Sequence, residues 1–70
     1  MINVNRLKGK FVENGLTQED VAHGLGITTR TLQNKLTKET FSTLEIDKLV
    51  NILHLTIADV NSIFFAQFGT

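Results

Sequence analysis

Apolar residues recur along this chain at three- and four-residue intervals, in short runs that stop at glycine or at small polar residues. Val4, Leu7 and Phe11 share one face of a helix, and this spacing predicts a first helix over about 4–14. Asn14-Gly15 ends it, because Gly15 tolerates the left-handed conformation of a helix C-terminus. Thr17 is a good N-cap, Asp20 completes an approximate capping box, and Val21, Ala22 and Leu25 form a stripe, which predicts a second helix over about 18–25. Gly26 follows as a tight left-handed turn. Thr28 caps a third helix over about 29–36, with Leu32 and Leu36 as its core contacts. Residues 37–41 read as a loop. Ser42-Thr43-Leu44-Glu45 is a full capping box and starts a fourth helix, whose apolar positions are Leu44, Ile46, Leu49, Val50 and Leu53. Thr56-Ile57-Ala58-Asp59 opens a fifth over about 57–66. Ile57, Val60, Phe64 and Phe68 then share a core stripe, while Ile63 and Phe65 project to either side of it.

No segment reads as a strand, so the expected fold is all-α: five short helices in a single domain over residues 1–70. Such a chain buries only about 60% of the surface it exposes when unfolded. It has no cysteine, hence no disulfide and no thiolate metal site, and must rely on a well-formed helical core or on a partner. No apolar run approaches a membrane span, and the first residues lack the layout of a signal peptide. The expectation is a cytoplasmic protein with no membrane partner.

The formal net charge is zero, but it is unevenly spread. Residues 1–38 carry six basic side chains against three acidic ones, and residues 39–70 carry one against four. The positive half contains an acid-free stretch from Val21 to Lys38 that includes Arg30, Lys35 and Lys38, as a polyanion partner would require.

That stretch lies within the most informative segment, residues 17–36, read as helix, glycine turn, helix: Thr17-Gln18-Glu19-Asp20-Val21-Ala22-His23-Gly24-Leu25-Gly26-Ile27-Thr28-Thr29-Arg30-Thr31-Leu32-Gln33-Asn34-Lys35-Leu36. It resembles the helix-turn-helix of the phage Cro/repressor superfamily, and the resemblance runs from about Leu7 to Val60. The tail around Ile63-Phe64-Phe65-Ala66 is similar to short regulators of temperate phages, among them Cro-like repressors and the antirepressors called modulators of repression. The resemblance implies a compact, lambda-repressor-like domain whose third helix enters the major groove of operator DNA. It further implies a cytoplasmic transcription regulator of the lysis/lysogeny switch, acting as a homodimer or jointly with a phage repressor. The alternative is an antirepressor that works mainly by binding the repressor's DNA-binding domain, motivated by the acidic C-terminal half and the apolar surplus of the fifth helix.

On the third helix Arg30 and Asn34 lie opposite Leu32 and Leu36, with Gln33 on the flank and Thr28 and Thr29 at the leading end. Arginine pairs bidentately with guanine, and Asn or Gln with adenine. Gln18 matches the family position that holds a phosphate, and Lys38 adds a charge beyond the helix. The expected DNA-binding set is therefore Gln18, Thr28, Thr29, Arg30, Gln33, Asn34 and Lys38, and the expected protein-interface residues are Ile63 and Phe65. The chain departs from the family at Lys35, where an apolar residue is usual and the core contact has moved to Leu36. Each exposed polar side chain also has a plainer reading as solvated surface. His23 and His54 are far apart without ligand spacing, and Ser42 and Ser62 have no base. No metal, cofactor, small-molecule substrate or catalytic activity is expected.

Overall fold

A computed structural model describes residues 2–65 as five helices: α1 (Val4–Glu13), α2 (Gln18–Leu25), α3 (Thr29–Lys38), α4 (Thr43–Leu53) and α5 (Ile57–Phe64). The domain is all-α, and no strand occurs among the described residues.

Local chemistry fixes both ends of these helices. Asn3, Thr17, Thr28, Ser42 and Thr56 each accept a hydrogen bond from the backbone N–H three residues on. At α2, α4 and α5 the reciprocal bond is also made, from the Thr17, Ser42 and Thr56 amides to the Asp20, Glu45 and Asp59 carboxylates. Four turns end in the same left-handed motif, with Gly15 and Gly26 at φ +68° and +74° and with Glu39 and His54 at 56° and 53°. After each, the next amide reaches back to a carbonyl five residues earlier, as from Leu16 to Phe11, Ile27 to Ala22, Thr40 to Lys35 and Leu55 to Val50. Sequence marks the two glycine ends. The other two place a side chain where left-handed backbone is disfavoured by about 1–2 kcal/mol. Glu39 gains in return: its carboxylate accepts the Ile2 amide at 2.5 Å, tying the end of α3 to the N-terminus.

The closest helix pairs are α2 with α3, α2 with α4, and α1 with α5. Their shared core holds Leu7 and Phe11 of α1, Val21, Ala22 and Leu25 of α2, Leu32 and Leu36 of α3, Leu49 and Leu53 of α4, then Leu55, Ile63 and Phe64. α2 and α4 also meet at Gly24, where a Cβ would come within 2.8 Å of the Ile52 Cδ1 and require that side chain to shift. Phe41 meets Phe64 edge to face at 6.4 Å between ring centroids.

Several expectations change. α3 continues to Lys38, so the expected loop begins two residues late. Ile57 is 83% exposed and Leu44 64% exposed, where sequence placed both in the core. Ile63, expected at a protein interface, is fully buried, and its carbonyl accepts the Asn3 amide at 2.7 Å. The reason is one of phase. Ile57 and Leu44 sit in the first turns of their helices, facing away from the neighbouring elements, and α5 turns Ile63 inward beside Val60 and Phe64, which face the core as expected. Phe65 is 43% exposed, consistent in position with the expected surface. Phe68 and the expected end of α5 lie outside the described residues.

The three capping carboxylates give the fold a defined acid response. The Thr17 amide, then the Thr17 hydroxyl, holds Asp20 below the ordinary aspartate value. The Thr56 amide does the same for Asp59, helped by the Thr56 hydroxyl and by Lys10 against partial desolvation. Partial burial pulls Glu45 up, but the Ser42 amide and Lys35 outweigh it and hold it low. A carboxylate whose pKa is lower folded than unfolded stabilises the fold above its unfolded value, and that contribution disappears as pH falls through the folded value. The urea midpoint is therefore expected to be level from about pH 7 to 5 and to drop progressively from about pH 4.5 toward 3. A midpoint unchanged or rising across that lower interval contradicts the assignment.

Candidate nucleic-acid interface

The segment over 17–36 folds as α2, a turn at Gly26-Ile27-Thr28, and α3. Gly26 makes the reversal, Ile27 packs against the core, and Thr28 opens the next helix. Leu32 and Leu36 turn inward, so the opposite face of α3 is directed to solvent.

Arg30, Gln33, Asn34 and Lys38 are exposed, while Thr29 and Gln18 are half-buried. Among the described residues, none of these six side chains makes a hydrogen bond or ion pair within the chain. Their donors and acceptors remain available to a ligand. Thr28 differs, because its hydroxyl oxygen accepts the Thr31 amide at 3.1 Å and donates to the Thr31 hydroxyl at 2.9 Å. Its hydroxyl is occupied in starting α3.

The structure also brings together residues from three helices. A cleft of about 380 Å³ is lined by Val4 and Lys8 of α1, Gln18 of α2, and Gln33, Leu36 and Thr37 of α3. Gln18 and Gln33, chosen from sequence for different roles, thus border one depression. Arg30, Asn34 and Lys38 lie on the adjoining outer face of α3. Lys8 and Thr37 are new to the site. Lys8 carries a visible signal, standing four residues after Val4 on the same side of α1. Thr37 falls in the loop that the sequence predicts, whereas α3 continues through it to Lys38.

The electrostatics of the two helix starts differ. α2 has Glu19 and Asp20 in its first turn, whereas α3 has no acidic residue there. The start of α3, capped by the neutral Thr28 hydroxyl, therefore lacks the carboxylates that offset the helix dipole at the start of α2.

Ion pairing redistributes the charge read from sequence. Lys10 Nζ lies 3.3 Å from Asp59 Oδ1 and 3.5 Å from Glu13 Oε1, and Lys35 Nζ lies 3.0 Å from Glu45 Oε2. The basic half thus commits Lys10 and Lys35, and the acidic half commits Glu45 and Asp59, across the junction between them. Arg6, Lys8, Arg30 and Lys38 remain without ion pairs among the described residues. The dipole seen in the sequence is largely spent inside the fold, and four of the five cations without an ion pair among the described residues lie on α1 and α3, the fifth being Lys48 of α4.

No group of His, Asp and Glu with metal-binding arrangement occurs among the described residues, and no helix there is long and apolar enough to cross a membrane. No curated protein and no solved structure matches the chain. Residues 2–67 match the family described as "Protein of unknown function (DUF739)", and with nearly its whole length covered the chain belongs to that family.

Proposed function

We propose that this protein is a helix-turn-helix transcription regulator that binds double-stranded operator DNA with α3 in the major groove. The observation that carries the reading is the outer face of α3: Arg30 and Asn34 stand opposite the leucines that seat the helix, Gln33 lies on the flank beside them, and all three are exposed with no partners among the described residues. Arg30 reads guanine, and Gln33 and Asn34 read adenine or bridge neighbouring bases, with Thr29 at the leading end. Gln18, Lys8 and Lys38 contact the phosphates that flank them. Thr28 contributes by fixing the start of α3. Following its resemblance to phage Cro-like regulators, the protein acts in a lysis/lysogeny switch, as a homodimer or with a phage repressor. Few phosphate contacts per copy make a single chain a weak binder, and a second DNA-reading unit supplies the rest. The reading requires no cofactor, small-molecule substrate or catalysis, and it places the protein in the cytoplasm.

Selection from a randomised duplex pool, followed by gel shifts across a salt series, tests this directly. The folded chain is expected to enrich a defined sequence at low salt, and Arg30→Ala to weaken binding to it by about 1–3 kcal/mol. Enrichment of no sequence by folded protein at low salt removes the proposal.

The antirepressor alternative keeps one supporting observation, the exposed apolar side chains Leu44 and Ile57. Its electrostatic motive is weaker than sequence suggested, because Glu45 and Asp59 are engaged by lysines of the same chain. Co-purification of the cognate repressor without DNA would favour it.

A further inference from the structure

The seat of α3 is narrow. Its buried side chains are Leu32 and Leu36, one above the other on a single line. A helix resting on one line of contact has little to resist rolling about it. At about 100° per residue, Gln33 and Lys35 fall on the two opposite flanks of that line. The Gln33 flank borders the open cleft. The Lys35 flank is closed by the ion pair to Glu45, whose two partners keep only 25% and 17% of their side-chain surface exposed.

Glu45 is itself held. Its Oε1 accepts the Ser42 amide at 2.8 Å while its Oε2 takes the Lys35 ammonium at 3.0 Å. One carboxylate closes the start of α4 and grips the side of α3. The grip is anchored to rigid backbone, not to a mobile surface chain, so it is far better defined than an ordinary surface pair.

We propose that Lys35 is a positioning residue. Paired with Glu45, it sets the roll of α3 and so decides which of Arg30, Gln33 and Asn34 point outward, and it does not itself touch nucleic acid. The inference rests on the DNA-binding reading for its consequence, though not for its geometry. It accounts for a basic residue at a position of the recognition helix where an apolar one is usual.

Four variants test it: Lys35→Gln, Lys35→Arg, Glu45→Gln and the Lys35→Gln/Glu45→Gln double. Glutamine at position 45 still accepts the Ser42 amide, so the α4 cap survives while the ion pair is lost. Residual dipolar couplings of backbone amides give the orientation of α3 relative to α4. They are expected to change in both Gln singles and to stay at wild-type values in Lys35→Arg. Binding is read with a duplex that the wild-type chain selects from a randomised pool. Affinity is expected to fall about ten-fold in either Gln single and no further in the double, with the salt slope unchanged, since no phosphate contact is removed.

An α3 orientation unaltered in Glu45→Gln overturns the proposal. So does an affinity loss confined to the Lys35 variants with a salt slope reduced by about one, which marks a phosphate contact. If the wild-type chain selects no duplex, it is the DNA-binding reading that fails, and the dipolar couplings alone decide the role of Lys35.

Discussion

Leu32→Ala is expected to remove about 3 kcal/mol of folding stability, a large share of the roughly 4–10 kcal/mol available to a domain of this size. Leu32 is fully buried at the junction of α2 and α3, and the short α3 offers only Leu36 beside it as a second anchor. Leu36 stays seated one turn on and Lys35 stays paired with Glu45, so α3 settles only partly into the cavity left by the missing side chain. In urea titrations followed by circular dichroism the midpoint should fall by about 2–3 M, given a slope near 1 kcal/mol/M for a small domain. A loss below about 1 kcal/mol would show that α3 is not seated on this leucine. Ile63→Ala should cost a similar amount and Ile57→Ala less than about 0.5 kcal/mol, although sequence ranks these two isoleucines the other way round.

That inversion marks where sequence reasoning runs out. Helix existence and starts were legible, because Thr17, Thr28, Ser42 and Thr56 act on backbone amides three residues away and need nothing else from the fold. Ends with glycine were legible for the same reason, and Glu39 and His54 were not, since a residue tolerated in left-handed backbone is chosen by its surroundings. In α5 the sequence correctly turns Val60 and Phe64 inward but exchanges the positions of Ile57 and Ile63. With only two turns and apolar residues on several sides, the period fits more than one inward face, and packing against α1 picks among them. The outward set on α3 was readable because Leu32 and Leu36 leave one direction for their opposite face. The cleft was not, since it joins Lys8 to Gln18, Gln33 and Thr37 across three helices. Nor were the Lys10–Asp59 and Lys35–Glu45 pairs, which turn an apparent charge dipole into internal cross-links.

Replacing Arg30, Gln33 and Asn34 together by alanine is expected to abolish sequence preference while leaving the domain folded. Each of these side chains is exposed and has no partner among the described residues, so the triple variant should unfold within about 0.5 kcal/mol of wild type. Each well-formed base contact is worth about 1–3 kcal/mol of discrimination, and three lost together should reduce the preference for the selected duplex over unrelated DNA by about a thousand-fold or more. Residual binding at low salt should persist, because Arg6, Lys8 and Lys38 still offer charge to the phosphates. Lys38→Ala provides the opposite signature, a uniform weakening across sequences with the salt slope reduced by about one. Competition gel shifts with selected and scrambled duplexes separate the two. Preference surviving in the triple variant would place base reading elsewhere on the surface, and the cleft bordered by Lys8 and Thr37 would become the next place to look. Loss of all binding in the triple, specific and nonspecific alike, would instead mean that Arg30 carries most of the phosphate attraction and that the outer face of α3 grips the backbone without reading bases.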